Sequence, residues 1–308
     1  MLSIISSFSI LSSSLVFSMS IGGCTTLTGH EKEPMAASEV AQLGYNLDKP
    51  TIYELPKALK EISGIRFYHK DNSLIYAEQD EKGRIYWLVP GDSQVQYYDF
   101  GKDGDYEDLA FMKEQAVFLR SDGTLFSFGF TPGVNHQAPP ATQPLKVWKD
   151  LLPKGEYEGM YADTSRSQLY ILCKECKAED HHKKVSIYRL DNNNQGFVMS
   201  RQITLDVGQI ETVYNQQRSK KKKEKVNFKP SALCFNELTG EWFILSSINK
   251  MLVVAGPDMQ VRAVYALDKK LYPQPEGICF DADNNLYISN EGPGGKKGTI
   301  LKMAYQAK

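Results

Sequence analysis

Tyr106-Glu107-Asp108-Leu109 has four near-copies along the chain: Glu61-Ile62-Ser63-Gly64-Ile65, Tyr157-Glu158-Gly159-Met160, Pro230-Ser231-Ala232-Leu233 and Pro275-Glu276-Gly277-Ile278. Aligned on Gly64, Asp108, Gly159, Ala232 and Gly277, the copies lie 44, 51, 73 and 45 residues apart, near the ~40–50 residues of one four-stranded propeller blade. Behind each copy come strand-like runs broken by turns. After the first they are Ile65-Arg66-Phe67-Tyr68, Ser73-Leu74-Ile75-Tyr76-Ala77, the turn Glu81-Lys82-Gly83, and Arg84-Ile85-Tyr86-Trp87-Leu88-Val89. A single small sheet cannot bury its faces alone, so the repeats must pack around a common axis. The chain therefore reads as all-β, a β-propeller with five blades. Six is the alternative, because the 73-residue spacing has room for a degenerate blade. No helix-length amphipathic pattern stands out after residue 60. Thr51-Ile52-Tyr53-Glu54-Leu55 is expected to supply the outer strand of the last blade, near Leu301 to Ala304, closing the ring and removing exposed edges.

The start of the chain bears on location. Residues 1–23 carry no acidic or basic side chain, and a Leu, Ile, Phe, Val and Ser stretch runs into Ile21-Gly22-Gly23-Cys24. This resembles a bacterial lipoprotein signal ending in a lipobox, with Cys24 as the lipidated N-terminus. A transmembrane anchor is the alternative, but nine serines in 23 residues make a poor spanning helix. Residues 1–23 thus read as a signal peptide, 24–45 as the lipidated cysteine with a polar tether, and 46–308 as the propeller. The expected location is the cell envelope, as a monomeric outer-membrane lipoprotein facing the periplasm or the exterior.

Lys+Arg 36 against Asp+Glu 37 gives a net charge of −1, so no strong field for nucleic acid is present. The one basic block, Arg218-Ser219-Lys220 through Lys225, falls inside the long spacing and reads as a solvated loop.

In a propeller the innermost strand of each blade starts at one face, and the loop after the second strand returns to that face. The first strands begin at Glu61, Glu107, Glu158, Pro230-Ser231 and Glu276; the second strands end in segments that include Asp122 and Asn290-Glu291. Polar groups around an axial opening are the usual place for function on such scaffolds. Glutamates at one level of a narrow channel raise each other's pKa, so they take up protons or gather around a cation. Carboxylates with nearby amide, hydroxyl and carbonyl oxygens suit a hard ion such as calcium. Glu61, Glu107, Glu158, Glu276, Asn290, Glu291 and Asp122 are the candidate ligands. The bland alternative is that each acid caps its own blade or pairs with a lysine; Ser231, standing where the others have an acid, suits either.

Cys173-Lys174-Glu175-Cys176 with His181-His182 offers soft ligands but lacks a second pair at zinc-site spacing. A local disulfide and two free thiols are both open readings. Cys234 and Cys279 fall at equivalent places, aligned with Arg66, Ala110 and Tyr161, and read as small packing residues. No Gly-x-Ser-x-Gly, no His-Glu-x-x-His and no phosphate loop ahead of a helix occurs. Gly292 to Gly298 is Gly-rich but leads into a strand and reads as a hairpin loop.

Leu59-x-Glu61-Ile62-Ser63-Gly64-Ile65, Gly104-Asp105-Tyr106-Glu107-Asp108-Leu109, Lys229-Pro230-Ser231-Ala232-Leu233, and Gln274-Pro275-Glu276-Gly277-Ile278 with Leu286-Tyr287-Ile288-Ser289-Asn290-Glu291-Gly292 together resemble the SdiA-regulated family of bacterial propeller proteins, over about residues 50–305. The resemblance implies a five-bladed propeller in an envelope-associated protein. It also implies kinship with calcium-dependent propeller hydrolases, whose glutamates at the starts of inner strands hold metal. Two functions follow as expectations. One is a binding or scaffold propeller with a ligand or protein partner at its loop face and a calcium ion for rigidity. The other is a calcium-dependent hydrolase of phosphoesters or lactones, with the metal activating water.

Overall fold

The computed structural model describes residues 43–307, apart from 70, 133–143, 178, 181, 194 and 219–222. Five four-stranded antiparallel sheets follow one another along the chain. The first holds β2 (Ile62–Tyr68), β3 (Asp71–Gln79), β4 (Arg84–Leu88) and β5 (Gln96–Asp99), and the second β6 (Tyr106–Met112), β7 (Gln115–Arg120), β8 (Leu125–Gly129) and β9 (Lys146–Trp148). The third holds β10 (Gly155–Asp163), β11 (Gln168–Cys176), β12 (Lys184–Asn193) and β13 (Gly196–Asp206). The fourth holds β14 (Ala232–Asn236), β15 (Glu241–Ser246), β16 (Met251–Ala255) and β17 (Val261–Ala266). The fifth takes β18 (Pro275–Phe280), β19 (Leu286–Asn290) and β20 (Thr299–Met303) from the end of the chain and β1 (Thr51–Glu54) from its start. Thr51 faces Lys302 and Glu54 faces Thr299, so the ring closes as the sequence predicts. Five blades, not six, complete it.

The long third spacing has a different cause from a hidden blade. β12 and β13 run 10 and 11 residues, and an 11-residue helix, α1 (Val207–Gln217), follows. Asp206 caps it by accepting the Gly208 N–H at 2.7 Å. The expectation of no helix fails here because α1 buries only Val207 and Ile210, too narrow a stripe to read as amphipathic. Its glutamines do a specific job: Gln209 and Gln217 accept the Val261 and Val264 N–H groups at 3.2 and 3.1 Å, covering the outer edge strand β17.

The first strands β2, β6, β10, β14 and β18 stand side by side around the axis. Their closeness explains the small residues of the repeat. A Cβ on Gly64 would overlap Asp108 Oδ1, and one on Gly277 would overlap the Ser63 carbonyl and Ser289 Oγ. Between blades the core is apolar. At the first junction Tyr76 meets Phe111 edge to face, with ring centroids 5.1 Å apart. At the last, Tyr45 is fully buried and its hydroxyl is satisfied by Asn236 and Asn284 at 3.0 and 2.8 Å.

Candidate functional site

The axis is plugged at one level by a buried ion pair. Arg66, on β2, donates to the carbonyls of Ile65 and Ile278 at 2.7 Å each and to Asp108 Oδ2 at 2.9 Å, and it also reaches the Met160 carbonyl. Asp108 accepts the Leu109 and Met160 N–H groups at 2.8 and 2.7 Å. One guanidinium thus ties together four blades with its donors and its partner carboxylate matched. Burial lifts Asp108 to about 6 against the pull of Arg66, which leaves it ionised at neutral pH. Cys234 and Cys279, both buried free thiols, border this layer, in keeping with packing.

One residue earlier in each repeat lies the channel mouth. Tyr106 pairs with Arg120 and Asp108 with Leu119, so Glu107 is an extra residue, a β-bulge. Glu158 and Glu276 are extra in the same way, between Tyr157 and Gly159 and between Pro275 and Gly277. A bulge re-aims the side chain it expels from the ladder. The equivalent residue in the first blade is Ser63, in the stretch of β2 where Ser63 and Gly64 face one partner residue, and in the fourth it is Ser231, just before β14. Glu61 therefore does not belong to the ring; it lies two residues outside it. Both serines staple blades instead. Ser63 Oγ donates to the Glu107 carbonyl at 2.9 Å and Ser231 Oγ to the Pro275 carbonyl at 2.8 Å.

Three carboxylates thus share the mouth, and more acids crowd them. Withdrawal from water, then Glu158, Asp105 and Glu78, push Glu107 far above the carboxylate range. Burial lifts Glu158 to about 7 against the attraction of Lys174, and Glu276 to about 7 against a hydrogen bond from Ser247. Glu78, fully buried at the end of β3, accepts the Gly64 N–H with one oxygen while its Oε2 has no partner among the described residues. Burial holds it well above the usual range. Asp80, lifted to about 6 by burial and then Glu61, likewise has a buried oxygen without a described partner.

Two lysines answer this acid. Lys174 Nζ lies 2.6 Å from Glu158 Oε1 and 3.2 Å from Glu156 Oε1; burial works against its charge, yet these glutamates hold it above the lysine range. Lys250 is half-buried, donates to the Ser247 carbonyl, and has its pKa lowered by desolvation despite Glu276.

Of the remaining predicted ligands, Glu61 and Glu291 border the mouth, where Glu291 feels Glu276 and Asp80, and Asp122 is engaged by Arg120. Glu61 pairs with Lys60 and shares a hydrogen bond with Glu291, which lowers Glu61; burial and that shared bond raise Glu291 to about 8. Asp122 is clamped by Arg120 through both oxygens, at 3.0 and 2.6 Å, which holds it at about 2. Asn290 is fully buried with its Oδ1 lacking a described partner. Among the described residues no three His, Cys, Asp or Glu side chains are gathered at metal-ligand spacing. Cys173 and Cys176 form a disulfide, which removes the thiolate ligands a zinc site needs. His181, Lys220 to Lys222, and the leader and tether through residue 42, with Cys24, lie outside the described residues; Leu43 and Tyr45, expected at the end of the tether, are instead buried in the core. Sequence reading missed Ser63 and Lys250 as mouth residues; it placed Glu78, Asp80 and Lys174 at second-strand ends on this face but not among the candidate ligands. The signal for Ser63 was present, since alignment on Gly64 already puts it opposite Glu107.

A closed five-bladed propeller with a plugged axis and an acid-rich mouth defines the class of protein. The family model described as SdiA-regulated matches residues 37–294, and the chain belongs to that family. The sequence matches no curated relative. Among solved structures, Myxococcus xanthus glutaminyl cyclase is similar with a TM-score of 0.53 at 13% identity, covering 84% of this chain and 95% of its own. A calcium-binding protein, regucalcin from Agrobacterium tumefaciens, has a TM-score of 0.47 at 12% identity, covering 84% and 93%. These likenesses concern the fold alone.

Proposed function

We propose that the protein is a non-catalytic binding propeller of the cell envelope, tethered by lipid on Cys24, whose channel mouth takes a hard cation with calcium as the best match. What supports this reading is the imbalance at the mouth. Glu107, Glu158 and Glu276 are expelled from the ladder by bulges into a space where, among the described residues, only Lys174 is ion-paired to any of them. Glu78 adds a buried oxygen without a described partner. The donors are all oxygens, the chemistry calcium prefers, and the mutual elevation of their pKa values is what a cation would relieve. Glu107, Glu158, Glu276 and Glu78 would supply the carboxylate oxygens, and they would have to close in around the ion, since among the described residues no three acids stand at metal-ligand spacing.

The test is thermal unfolding of the chelator-treated full chain in detergent. A cation at one hundred times its Kd adds about 2.7 kcal/mol, roughly 5–10 °C in Tm for a domain of this size. Glu107→Gln and Glu158→Gln should lose most of that shift, and Glu175→Gln should keep it; no calcium response in the unsubstituted chain overturns the reading. For the anchor, Cys24→Ser should move the protein to the soluble fraction, and unchanged labelling by a fatty-acid probe would count against it.

A second reading, a calcium-dependent hydrolase of phosphoesters or lactones, draws on Glu158 and Glu276 lying near 7, where a carboxyl group exchanges protons readily. Calcium-dependent turnover of a nitrophenyl phosphate or a simple lactone, lost in Glu158→Gln, would favour it over binding alone.

A further inference from the structure

We propose that the cleft between the second and third blades, on the face opposite the channel mouth, binds a short neutral saccharide. The site is independent of the acids at the mouth. It lies where β6 turns into β7 and β12 into β13. The β6–β7 ladder runs from Tyr106–Arg120, beside the mouth, to Met112–Gln115 at the far end, and the Asn192 N–H donates at 2.8 Å to the carbonyl of Ser167, in the turn that follows β10. The volume of the cleft is about 640 Å³, within the ~300–1,000 Å³ of small-molecule sites.

Contacts that cross from blade to blade fix its walls. Trp148 of β9 meets Phe197 of β13 edge to face, with ring centroids 5.5 Å apart, and its indole N–H donates to the buried Ser127 Oγ at 3.0 Å. Gly196, at a φ of 116°, passes so close to the indole that a Cβ there would lie 2.1 Å from the ring. The indole is thus locked in place, yet it is only half-buried and lines the cleft. Such an aromatic platform is ordered before a ligand arrives, which lowers the cost of binding. Asn192 Nδ2 reaches across to the Met112 thioether at 3.2 Å, a weak acceptor that a ligand oxygen would better.

Burial sorts the lining by charge. Lys113, Glu114 and Lys146 are exposed, whereas the half-buried Gln115, Asn192 and Trp148 are neutral. An anionic ligand would find its counter-charges only at the solvent rim, where ion pairs are worth little. Carboxamides both donate and accept, as sugar hydroxyls do, and the C–H face of a pyranose ring matches an indole. A neutral saccharide uses both kinds of group.

The experiment is calorimetric titration of chitotriose and maltotriose, both neutral, and of the acidic trigalacturonate into the full chain in a detergent without a sugar headgroup. At least one neutral sugar should bind saturably at millimolar concentration or below, and the acidic one no better. Trp148→Ala should weaken that binding by roughly tenfold or more, Gln115→Ala should weaken it several-fold, and Trp148→Phe should keep most of it. No binding of either neutral sugar overturns the inference. Tighter binding of trigalacturonate overturns the choice of a neutral ligand and assigns the cleft to anions held by Lys113 and Lys146. Binding untouched by the substitutions places the sugar elsewhere and also overturns it. Should Trp148→Ala fail to fold, Gln115→Ala carries the same decision.

Discussion

The axial plug lies next to the channel mouth along the inner strands, Asp108 directly after Glu107 and Arg66 three residues after Ser63, yet the two layers treat buried charge in opposite ways. In the plug, Arg66 and Asp108 spend their donors and acceptors on each other and on the carbonyls and N–H groups of four blades. In the mouth, Glu107, Glu158 and Glu276 answer to Lys174 with one ion pair, and Glu78 keeps an oxygen without a described partner. A fully matched buried network specifies structure, whereas a surplus of one sign marks a place where something else is taken up. The contrast separates what holds the ring together from what the ring presents.

The largest expected effect breaks the plug. Arg66→Met leaves Asp108 buried without its counter-charge and should cost about 3–5 kcal/mol in urea unfolding, while Arg66→Met/Asp108→Leu should recover part of it. A loss below about 1 kcal/mol would mean that the pair is not what ties the blades.

Next comes pH, which acts on the mouth. Glu158 and Glu276 are raised to about 7, above the ordinary ~4.3 of a glutamate. Between those values the folded chain binds protons that the unfolded chain has released, so these two make stability fall as pH rises through about 4.5 to 7, and Glu107 and Glu78, pushed far above the carboxylate range, continue the fall above it. Asp108, raised to about 6, and Glu291, raised to about 8, slope the same way and extend the window at each end. Calcium should flatten the curve, acting most strongly near pH 8, and Glu158→Gln/Glu276→Gln should flatten it without calcium. A cation-free Tm that climbs from pH 5 to 8 would contradict this.

A smaller effect sharpens the comparison. Glu107→Gln, measured without calcium, should be neutral or stabilising by up to about 1 kcal/mol, since its burial already disfavours the charged form. A loss of 2 kcal/mol or more would make Glu107 a structural cap. The smallest effect belongs to Asp122→Asn, which loosens a half-exposed pair with Arg120 and should change stability by less than about 1 kcal/mol and the calcium response not at all.

Much of the architecture was legible because repeats are periodic: the Gly64, Asp108, Gly159, Ala232 and Gly277 marks located all five inner strands, and Thr51 to Glu54 could be assigned to the last blade. Helix α1 was not legible, because its apolar stripe is narrow, with Val207 and Ile210 alone buried, and it sits among polar residues of which two glutamines cover the edge of β17. At the mouth, Glu107, Glu158 and Glu276 were found because the repeat positions them. Glu61 was misplaced because acidity was followed in preference to register, and register makes Ser63 the equivalent. Lys174 and Glu78 were placed at second-strand ends on this face, but their approach to the inner-strand acids depends on bulges that a single sequence does not announce.

The most direct test of the central claim, that the mouth is an unneutralised acid site and the plug a neutralised one, is a calorimetric titration of calcium into the chelator-treated full chain at pH 8. The account predicts saturable binding of one ion below millimolar concentration, lost in Glu107→Gln/Glu158→Gln and kept in Asp122→Asn. No heat of binding up to millimolar calcium in the unsubstituted chain would contradict it.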